Sequence, residues 1–504
     1  MRPWTIAASL IAATSLFASP VQAAGTLRFA LDFDFDTFDP ARSGSYIERV
    51  VNTAMCDQLL DVDPQLNLVP QLATSWEWSA DQLALTLQLR PGVVFADGAP
   101  FDAEAVRANL ERYRTAPYSA RRVELKSVSG VEVVGPLTVR IRLSEPFAPL
   151  LALLANRPGL MLSPRILDQP TEVISARPVC AGPFTLVERV AQDHITLQRF
   201  PGYWNAANIH LDRIEFRIMT DSTVRRLNLQ SGKLDVANRL AATDVPAVEA
   251  DRKLRVVSSP SIGFEMISFN IGNGPAADTP FGKDVRIRRA FAKSIDLAGI
   301  NQVVFEGRMI PSTQTEPPGS RYWNPAFPVM PRDLAGAKAL LAEAGVPRPK
   351  VTLSVVNNPT DVQVGEVIQS MASEAGFDVT VNKGEAVSQT AAAGRGDYQA
   401  YQVIWSGRPD PDGNLSLWMR CNTSLNWTGW CSKEMESALD RAAGTSEPAV
   451  RVAAYREATG IWMRDMPYMG LYHFTWFWGL TEKVQGFTPR PDGLVRMVGL
   501  SLRP

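Results

Sequence analysis

The chain has 504 residues, of which 45% are hydrophobic and 20% are charged. This length and balance predict a globular protein of about two to four domains. The 51 basic and 52 acidic residues nearly cancel, which excludes the strongly basic surface of a typical nucleic-acid-binding protein.

The N-terminal segment has the three parts of a Sec signal peptide. Arg2 supplies a positive charge, residues 6–18 form an apolar run, and residues 21–23 read VQA, a small-x-small cleavage site. The apolar run is shorter than the ~20 residues that a membrane-spanning helix needs, so a membrane anchor is the weaker alternative. We therefore expect residues 1–23 to be removed and the mature protein to be soluble in the periplasm of a Gram-negative bacterium.

An acidic run follows at Asp32, Asp34, Asp36 and Asp39. In a strand the first three would share one face, which predicts a strand edge near a cleft with solvated carboxylates. The other interpretation is an enzyme-like or metal-like cluster. A carboxylate-based hydrolase needs two carboxylates at a defined separation, one of them with a raised pKa, and nothing in the run indicates that arrangement. A periplasmic hydrolase is therefore only a weak alternative.

The middle of the chain predicts alternating strands and helices. Leucines alternate with smaller or polar residues over 83–89, which predicts a half-buried strand, and Pro91-Gly92 predicts the turn that closes it. Asp102 then predicts the N-cap of a helix. This segment is typical of a mixed α/β protein.

Later elements follow the same rules. Alternation predicts strands at 139–143 and 214–218. Apolar residues at the 3.6-residue period predict one helix over 287–295 and another between Asp333 and Gly345. The pattern favours an α/β fold with two lobes that close on a small molecule.

Catalytic and metal-binding motifs are missing from the sequence. G-x-S-x-G, the P-loop and H-E-x-x-H do not occur. The histidines, His194, His210 and His473, are scattered, and there is no C-x-x-C. We therefore predict no catalytic residue, no metal site and no cofactor.

Several segments taken together resemble one protein family. They are LATSWE, LRPGVVFADG, PFDAEAV, AGPFTLVERV, SFNIGNGP, DVRIRRAFAKSIDLAGI and DLAGAKALLAEAG, in that order. With them the chain resembles the large substrate-binding proteins of ABC importers, which capture peptides, nickel complexes and some opines or oligosaccharides. The resemblance implies a binding receptor, not an enzyme, that acts as a monomer and passes its ligand to an ABC permease in the inner membrane.

The resemblance also implies a topology. It is a two-lobed periplasmic binding protein fold with an extra inserted domain and a ligand cleft between the lobes. The implied boundaries are 1–23 for the signal peptide, 24–69, 183–270 and 480–504 for domain I, 70–182 for the inserted domain II, and 271–479 for domain III.

Four cysteines in an exported chain favour disulfides. Cys421 and Cys431 flank a polar loop, and family members often have a disulfide bond that closes such a loop near the ligand. Cys56 and Cys180 precede two segments that the family fold brings together. The resemblance thus implies Cys56–Cys180 and Cys421–Cys431, and free buried thiols are the alternative for the long-range pair.

The segment 401–418 departs from its relatives. In the family this segment lies at the cleft, with Trp405 on the wall, and peptide binders usually place an Asp a few residues later to pair with the α-ammonium group. Here the matching residue is Arg408, whose planar fork of donors favours a carboxylate or phosphate. Two alternatives stay open: Arg408 forms a structural ion pair with a nearby Asp, or Asp410 takes the ammonium-binding role.

A second departure lies between a strand and a helix of domain III. Dipeptide binders tend to have an Arg there, whereas this chain has Asn357 and Asn358. The exchange favours an opine, a modified or acidic peptide, or a sugar conjugate over a plain dipeptide, with a nickel chelate or haem as the alternative. The candidate ligand-binding residues are Phe38, Asn357, Asn358, Trp405, Ser406, Gly407, Arg408, Asp410 and Trp427.

Overall fold

A computed structural model describes residues 25–503 of the chain. The predicted signal peptide, residues 1–23, and the expected mature start at Ala24 lie outside the described residues.

The helices and strands alternate along most of the chain. The strands are β1 (Thr26–Leu31), β2 (Leu60–Val62), β3 (Leu68–Pro70), β4 (Ala73–Trp78), β5 (Ala84–Leu89), β6 (Val128–Gly135), β7 (Thr138–Leu143), β8 (Phe184–Val190), β9 (His194–Arg199), β10 (Arg213–Ile218), β11 (Val236–Ala237), β12 (Leu254–Phe269), β13 (Ile310–Pro311), β14 (Lys350–Val356), β15 (Asp378–Gly384), β16 (Ala400–Trp405), β17 (Tyr468–Thr481), β18 (Val484–Gln485) and β19 (Ser501–Leu502). The helices are α1 (Tyr46–Met55), α2 (Ala103–Thr115), α3 (Leu150–Leu154), α4 (Thr171–Ala176), α5 (Ser222–Gln230), α6 (Val245–Glu249), α7 (Pro280–Lys283), α8 (Val285–Ser294), α9 (Leu297–Phe305), α10 (Leu334–Glu343), α11 (Pro359–Ala375), α12 (Ala386–Arg395), α13 (Asp412–Met419), α14 (Lys433–Ala443) and α15 (Pro448–Asp465).

One large sheet runs through both lobes of this α/β fold. Its order is β15-β14-β16-β12-β17-β11-β1-β10-β9-β8, with β13 paired to β17. The first lobe contains the half from β11 to β8, and the second lobe contains the half from β15 to β16. β12 and β17 form a long antiparallel ribbon that crosses from one lobe to the other, and their register shifts between Pro260 and Phe264. Such a bulge bends a ribbon, which places the bend between the lobes.

The carboxyl ends of the parallel strands converge on this bend. β11 ends at Ala237, opposite Gly479 of β17, and β1 runs parallel to it. β16 ends at Trp405, opposite Phe264 of β12, and β14 runs parallel to it. The loops that follow these strands therefore face one another across a cleft.

A separate antiparallel sheet, β4-β5-β7-β6, is covered by α2 and has its own apolar core, built from Ala41 and side chains between Leu59 and Ala181. The alternation in 83–89 is confirmed as β5, because Leu85, Leu87 and Leu89 are buried in this core. Asp102 is confirmed as the N-cap of α2, where its side chain accepts a hydrogen bond from Ala105 N at 2.9 Å.

The other predicted elements are present with small shifts at their ends. The strands predicted at 139–143 and 214–218 are β7 and β10, and the helix predicted over 287–295 is α8. Asp333 caps α10 by accepting from Gly336 N, and Gly345 beyond it has a φ of 69°. The left-handed conformation explains why a glycine ends this helix.

The acidic run does not form a strand edge, because β1 ends at Leu31 and the run lies in a loop. Three of its carboxylates form ion pairs: Asp32 with Arg239, Asp34 with Arg189, and Asp39 with Arg112. The prediction of solvated carboxylates is wrong for these three, since an irregular loop turns them toward arginines from distant segments. Asp36 alone is exposed.

The structure pairs the four cysteines as Cys56–Cys180 and Cys421–Cys431, each with Cα atoms 4.9 Å apart. Within residues 25–503, no helix is long and apolar enough to cross a membrane. The same residues contain no group of three or more His, Cys, Asp or Glu side chains suited to a metal ion.

Candidate functional site

The candidate site is the cleft between the lobes. On the first lobe Asp32 follows β1, and Asn238 and Arg239 follow β11. On the second lobe Trp405 ends β16 and leads into the loop of Arg408. In open α/β sheets, ligands bind at the carboxyl ends of the strands, which is where these residues lie.

The loop after β16 holds Arg408 in one orientation. Gly407 has a φ of 78°, and a Cβ there would lie 2.5 Å from Ile262 O, so only glycine fits. The Asn414 side chain accepts from Arg408 N at 2.7 Å and donates to Arg408 O at 2.9 Å. The Arg408 guanidinium lies over the Trp405 ring, 4.3 Å from its centroid. Backbone, amide and ring together direct this cation to the space between the lobes.

Arg408 is a half-buried cation without a carboxylate partner. Its guanidinium donates to Gly407 O at 2.7 Å, and it forms no ion pair within the part of the chain that the structure describes. Burial lowers the pKa of Arg408 well below its usual value, and the charges of Arg49 and Arg157 act in the same direction. A neighbouring anion favours the charged form of a desolvated guanidinium.

Asp410 does not pair with Arg408. Both of its carboxylate oxygens accept hydrogen bonds from Arg451, at 2.7 and 2.8 Å, and one also accepts from Asp412 N at 2.9 Å. Asp410 is therefore paired with Arg451 and not with Arg408, and its ammonium-binding role stays a prediction.

A second cation, on the first lobe, lies close enough for its charge to act on Arg408. Arg49 lies on α1, is 5% exposed, and has Nε and Nη1 without a hydrogen-bond partner. Burial lowers the pKa of Arg49 to about 10, with the charge of Arg157 as the next cause. We call Arg49 and Arg408 the arginine pair.

The nearby carboxylates are already taken by other arginines. They are Glu48, which pairs with Arg157; Glu124, which pairs with Arg121; and Asp492, which pairs with Arg496. The arginine pair therefore contributes two positive charges that no described carboxylate neutralises. A cavity of about 280 Å³ opens beside Arg408, lined also by Glu124, Phe147 and Arg420.

The cleft also has an acidic side on the second lobe. Glu265 of β12 lies opposite Ile404 of β16 and Tyr472 of β17, so these three side chains share one face of the sheet. Ile404 is 50% exposed, so this face reaches solvent near the end of β16, which leads into the loop of Arg408. Glu265 is 4% exposed and accepts a hydrogen bond from the side-chain amide of Gln402.

Asp361 lies beside Glu265, in the first turn of α11. Burial raises the pKa of Glu265, with the charge of Asp361 as the next cause, and burial also raises the pKa of Asp361. Arg239 is the basic group whose charge acts on both carboxyls, but its Nη1 donates to Asp32 at 2.7 Å. Its guanidinium also lies within 6 Å of the stacked rings of Tyr46 and Trp476, at 5.8 and 5.5 Å.

The nine predicted ligand residues do not all reach the cleft. Trp405, Ser406, Gly407 and Arg408 form one loop on its wall. Of the other five, Asn358 caps α11 and donates to Asp361 at 2.8 Å, Asn357 is exposed, Asp410 binds Arg451, Trp427 is 8% exposed in the second-lobe core, and Phe38 is 0% exposed in the large core.

Sequence reasoning did not find Arg49, Arg239, Glu265, Asp361 or Gln402. Glu265 alone had a readable signal, since it is a single acid in the apolar strand sequence IGFEMISF. Arg49, Arg239 and Asp361 belong to ordinary helix or loop patterns, and Gln402 belongs to strand β16. Their proximity follows from which elements meet in the fold.

The two-lobed α/β fold with a cleft between the lobes is the fold of periplasmic binding proteins. Residues 67–426 match the family of bacterial extracellular solute-binding proteins, family 5. The chain belongs to this family.

Known relatives agree over nearly the full length. The chain is similar to the glutathione-binding protein GsiB of Salmonella paratyphi A, with 30% identity over 498 residues and 96% of each chain covered. Its fold is similar to that of AgaA from A. tumefaciens R10 in complex with agropinic acid, with 24% identity, a TM-score of 0.82, and 95% and 99% of the two chains covered. It is also similar to the murein tripeptide binding protein MppA of Escherichia coli, with 21% identity, a TM-score of 0.85, and 95% and 99% covered.

Proposed function

We propose that this protein is the periplasmic receptor of an ABC importer and that it captures a small peptide-like ligand carrying carboxylate groups. The observation that supports this ligand class is the arginine pair: the buried guanidinium of Arg49 and the half-buried one of Arg408 come from the two lobes, and neither has a carboxylate partner in the described chain. Relatives named for glutathione agree with it, because glutathione is a peptide with two carboxylates and one ammonium group.

The two lobes each supply one half of the anion site. Arg49 comes from α1 of the first lobe, and Arg408 follows β16 of the second lobe. A carboxylate between them forms charge-assisted hydrogen bonds to both, and it offsets the repulsion that closure would otherwise create. Ligand binding thereby stabilises the closed form, as a hinged receptor requires.

The test is calorimetric titration with S-methylglutathione, which keeps the charged groups of glutathione but cannot exchange with the two disulfides. Met-Leu and agropinic acid complete the set of ligands. We expect Arg408→Ala and Arg49→Ala each to weaken binding of a carboxylate ligand by roughly 2–4 kcal/mol, since hydrogen bonds to charged groups are strong in a water-poor cleft. Arg408→Lys is expected to retain only part of the affinity, because an ammonium cannot reproduce the planar fork.

The matched control is Arg441→Ala. Arg441 lies on α14 of the same lobe and pairs with Glu457 on the surface, with both side chains about half exposed. Its loss should change the affinity by less than about 0.5 kcal/mol. Equal affinities of wild type, Arg408→Ala and Arg49→Ala for every ligand that binds would contradict the anion site.

The proposal includes three further points taken from the sequence. Residues 1–23 direct export, the domain boundaries are those implied by the resemblance, and the receptor works as a monomer that docks on the permease.

A further inference from the structure

Three acceptor groups on the acidic side of the cleft, two of them buried and that of Asp361 half-buried, have no cationic partner. The carboxylates of Glu265 and Asp361 form no ion pair within residues 25–503, and each accepts side-chain hydrogen bonds only from neutral groups. The third acceptor is Oε1 of Gln402, which is buried without a partner in a side chain that is 3% exposed.

The orientation of the Gln402 amide follows from Glu265. Its Nε2 donates to a Glu265 oxygen, so Oε1 is the atom left without a donor. A buried carbonyl oxygen without a partner costs about 1–3 kcal/mol, and native proteins rarely leave one unsatisfied. This oxygen is independent evidence that a donor group belongs beside the two carboxyls.

Arg239 does not fill this position. Its guanidinium donates to Asp32 and lies near the Tyr46 and Trp476 rings on the first lobe. The groups around Glu265 from every packed element are Asp361 on α11, Gln402 on β16, Tyr472 on β17 and, more distantly, Arg239. Among these only Arg239 is positively charged, and its ion pair is with Asp32.

We propose that Glu265, Asp361 and Gln402 form a cradle for the ammonium group of the ligand, opposite the arginine pair. This inference rests on the proposed function and adds to it the second pole of the ligand. An ammonium group has three N–H donors in tetrahedral array, and the cradle offers three acceptor side chains. The receptor therefore selects a zwitterion with a free amine as well as a carboxylate. The amine is bound by the cradle and not by residue 408, the position at which peptide binders usually have an Asp.

Proton exchange follows from the same arrangement. Burial raises the pKa of Glu265 and of Asp361. A bound ammonium lowers both pKa values again, because an opposite charge favours the ionised carboxylate. Binding of a free amine should thus release protons, whereas binding of an acylated amine should not.

The test compares S-methylglutathione with its N-acetyl derivative by calorimetry at a pH of about 7.5, in two buffers of different ionisation enthalpy. The wild type should prefer the free amine by roughly ten- to a hundredfold and release protons on binding it. Glu265→Gln and Asp361→Asn should each reduce this preference to about threefold or less, mainly by weakening the free amine, and should reduce proton release. Asp361 is on α11 and Glu265 is on β12, so Asp361→Asn still tests the cradle if the Glu265→Gln variant does not fold.

The matched control is Asp57→Asn. Asp57 is also a buried acid, whose pKa burial raises to about 7, but it accepts from Trp204 Nε1 at 2.7 Å away from the cradle. It should leave the preference for the free amine unchanged.

The outcomes separate the two proposals. Equal wild-type affinity for the free and acetylated ligands overturns the ammonium cradle, and the anion site stands if Arg408→Ala still weakens both. A preference that survives in both acid variants also overturns the cradle. Failure of both ligands, of Met-Leu and of agropinic acid to bind overturns the proposed ligand class, and the cradle with it.

Discussion

At Gly407 a single backbone angle determines where the Arg408 guanidinium points. The residue lies in the left-handed region at a φ of 78°, and Ile262 O occupies the space of a Cβ. The peptide that follows is held by Asn414, which itself donates to Glu316 at 3.0 Å. Burial raises the pKa of Glu316 to about 7. The position of the Arg408 guanidinium thus depends on Gly407, Asn414 and Glu316.

We predict that Gly407→Ala lowers the free energy of unfolding by roughly 2–5 kcal/mol, because left-handed strain and a backbone clash add together. It should also weaken binding of S-methylglutathione, since the loop must move to relieve the clash. Denaturant unfolding and calorimetry measure the two effects.

Gly98→Ala is the control for this substitution. Gly98 has a φ of 79°, but no atom lies within 4 Å of the position that a Cβ would occupy, so only the backbone strain of roughly 1–2 kcal/mol applies. If the two alanine variants lose the same stability, the close approach to Ile262 is not what requires glycine at 407.

At the scale of elements, the two disulfides have different tasks. Cys56 follows the last turn of α1, the helix that carries Arg49, and its partner Cys180 lies 124 residues away in sequence. Cys421 and Cys431 are only 10 residues apart. The long bridge fixes the end of α1 against a distant segment, whereas the short bridge closes a local loop.

We predict that replacing Cys56 and Cys180 by serine costs about 5 kcal/mol of stability, and replacing Cys421 and Cys431 about 3 kcal/mol. These values come from the chain-entropy model, in which a longer closed loop gives a larger effect. Unfolding of the two double variants under identical oxidising conditions measures the difference. The long-bridge variant should also lose affinity for the carboxylate ligand, because Arg49 is no longer held.

The short-bridge variant is the control for the long one. A larger loss of stability in the short-bridge variant would contradict this account of the loop lengths. Unchanged affinity in the long-bridge variant would show that core packing alone positions α1.

At the scale of the whole molecule, the lobes touch at the rim of the cleft. Ala148 N, beyond β7, donates to Ala443 O at the end of α14 at 2.8 Å. Gln82 Nε2 donates to Ser446 Oγ at 3.2 Å on the same rim. These contacts join loops of the β4-β5-β7-β6 sheet to the second lobe. The structure is therefore a closed form.

We predict that the double substitution Ala148→Cys with Ala443→Cys forms a disulfide, and that S-methylglutathione accelerates it. A backbone hydrogen bond brings the two Cα atoms close to the range that a disulfide spans. Ligand binding raises the population of the closed form, which is the form that can react. The measurement is the rate of cross-linking under mild oxidation, followed by non-reducing electrophoresis and intact mass.

The same cysteine pair in an Arg408→Ala background is the control, and it should show little acceleration. Equal cross-linking rates with and without ligand in the parent pair would show that the lobes stay closed in solution, which contradicts ligand-driven closure.

The sequence by itself determined the local elements and the family. The leucine alternation of β5, the caps Asp102 and Asp333, and Gly345 after α10 are all present, because each depends on a few neighbouring residues. The unusual Arg408 was visible for the same reason, as one residue in a recognisable segment. Only the tertiary structure decided which charges are left without partners.

Arg49, Glu265, Asp361 and Gln402 come from α1, β12, α11 and β16, and nothing local distinguishes most of them. Asp410 and Arg408 are two residues apart, yet one is neutralised by Arg451 and the other has no carboxylate. The physical reason is that burial and charge pairing depend on the elements that fold against a residue, and these are separated from it by tens to hundreds of positions in the chain.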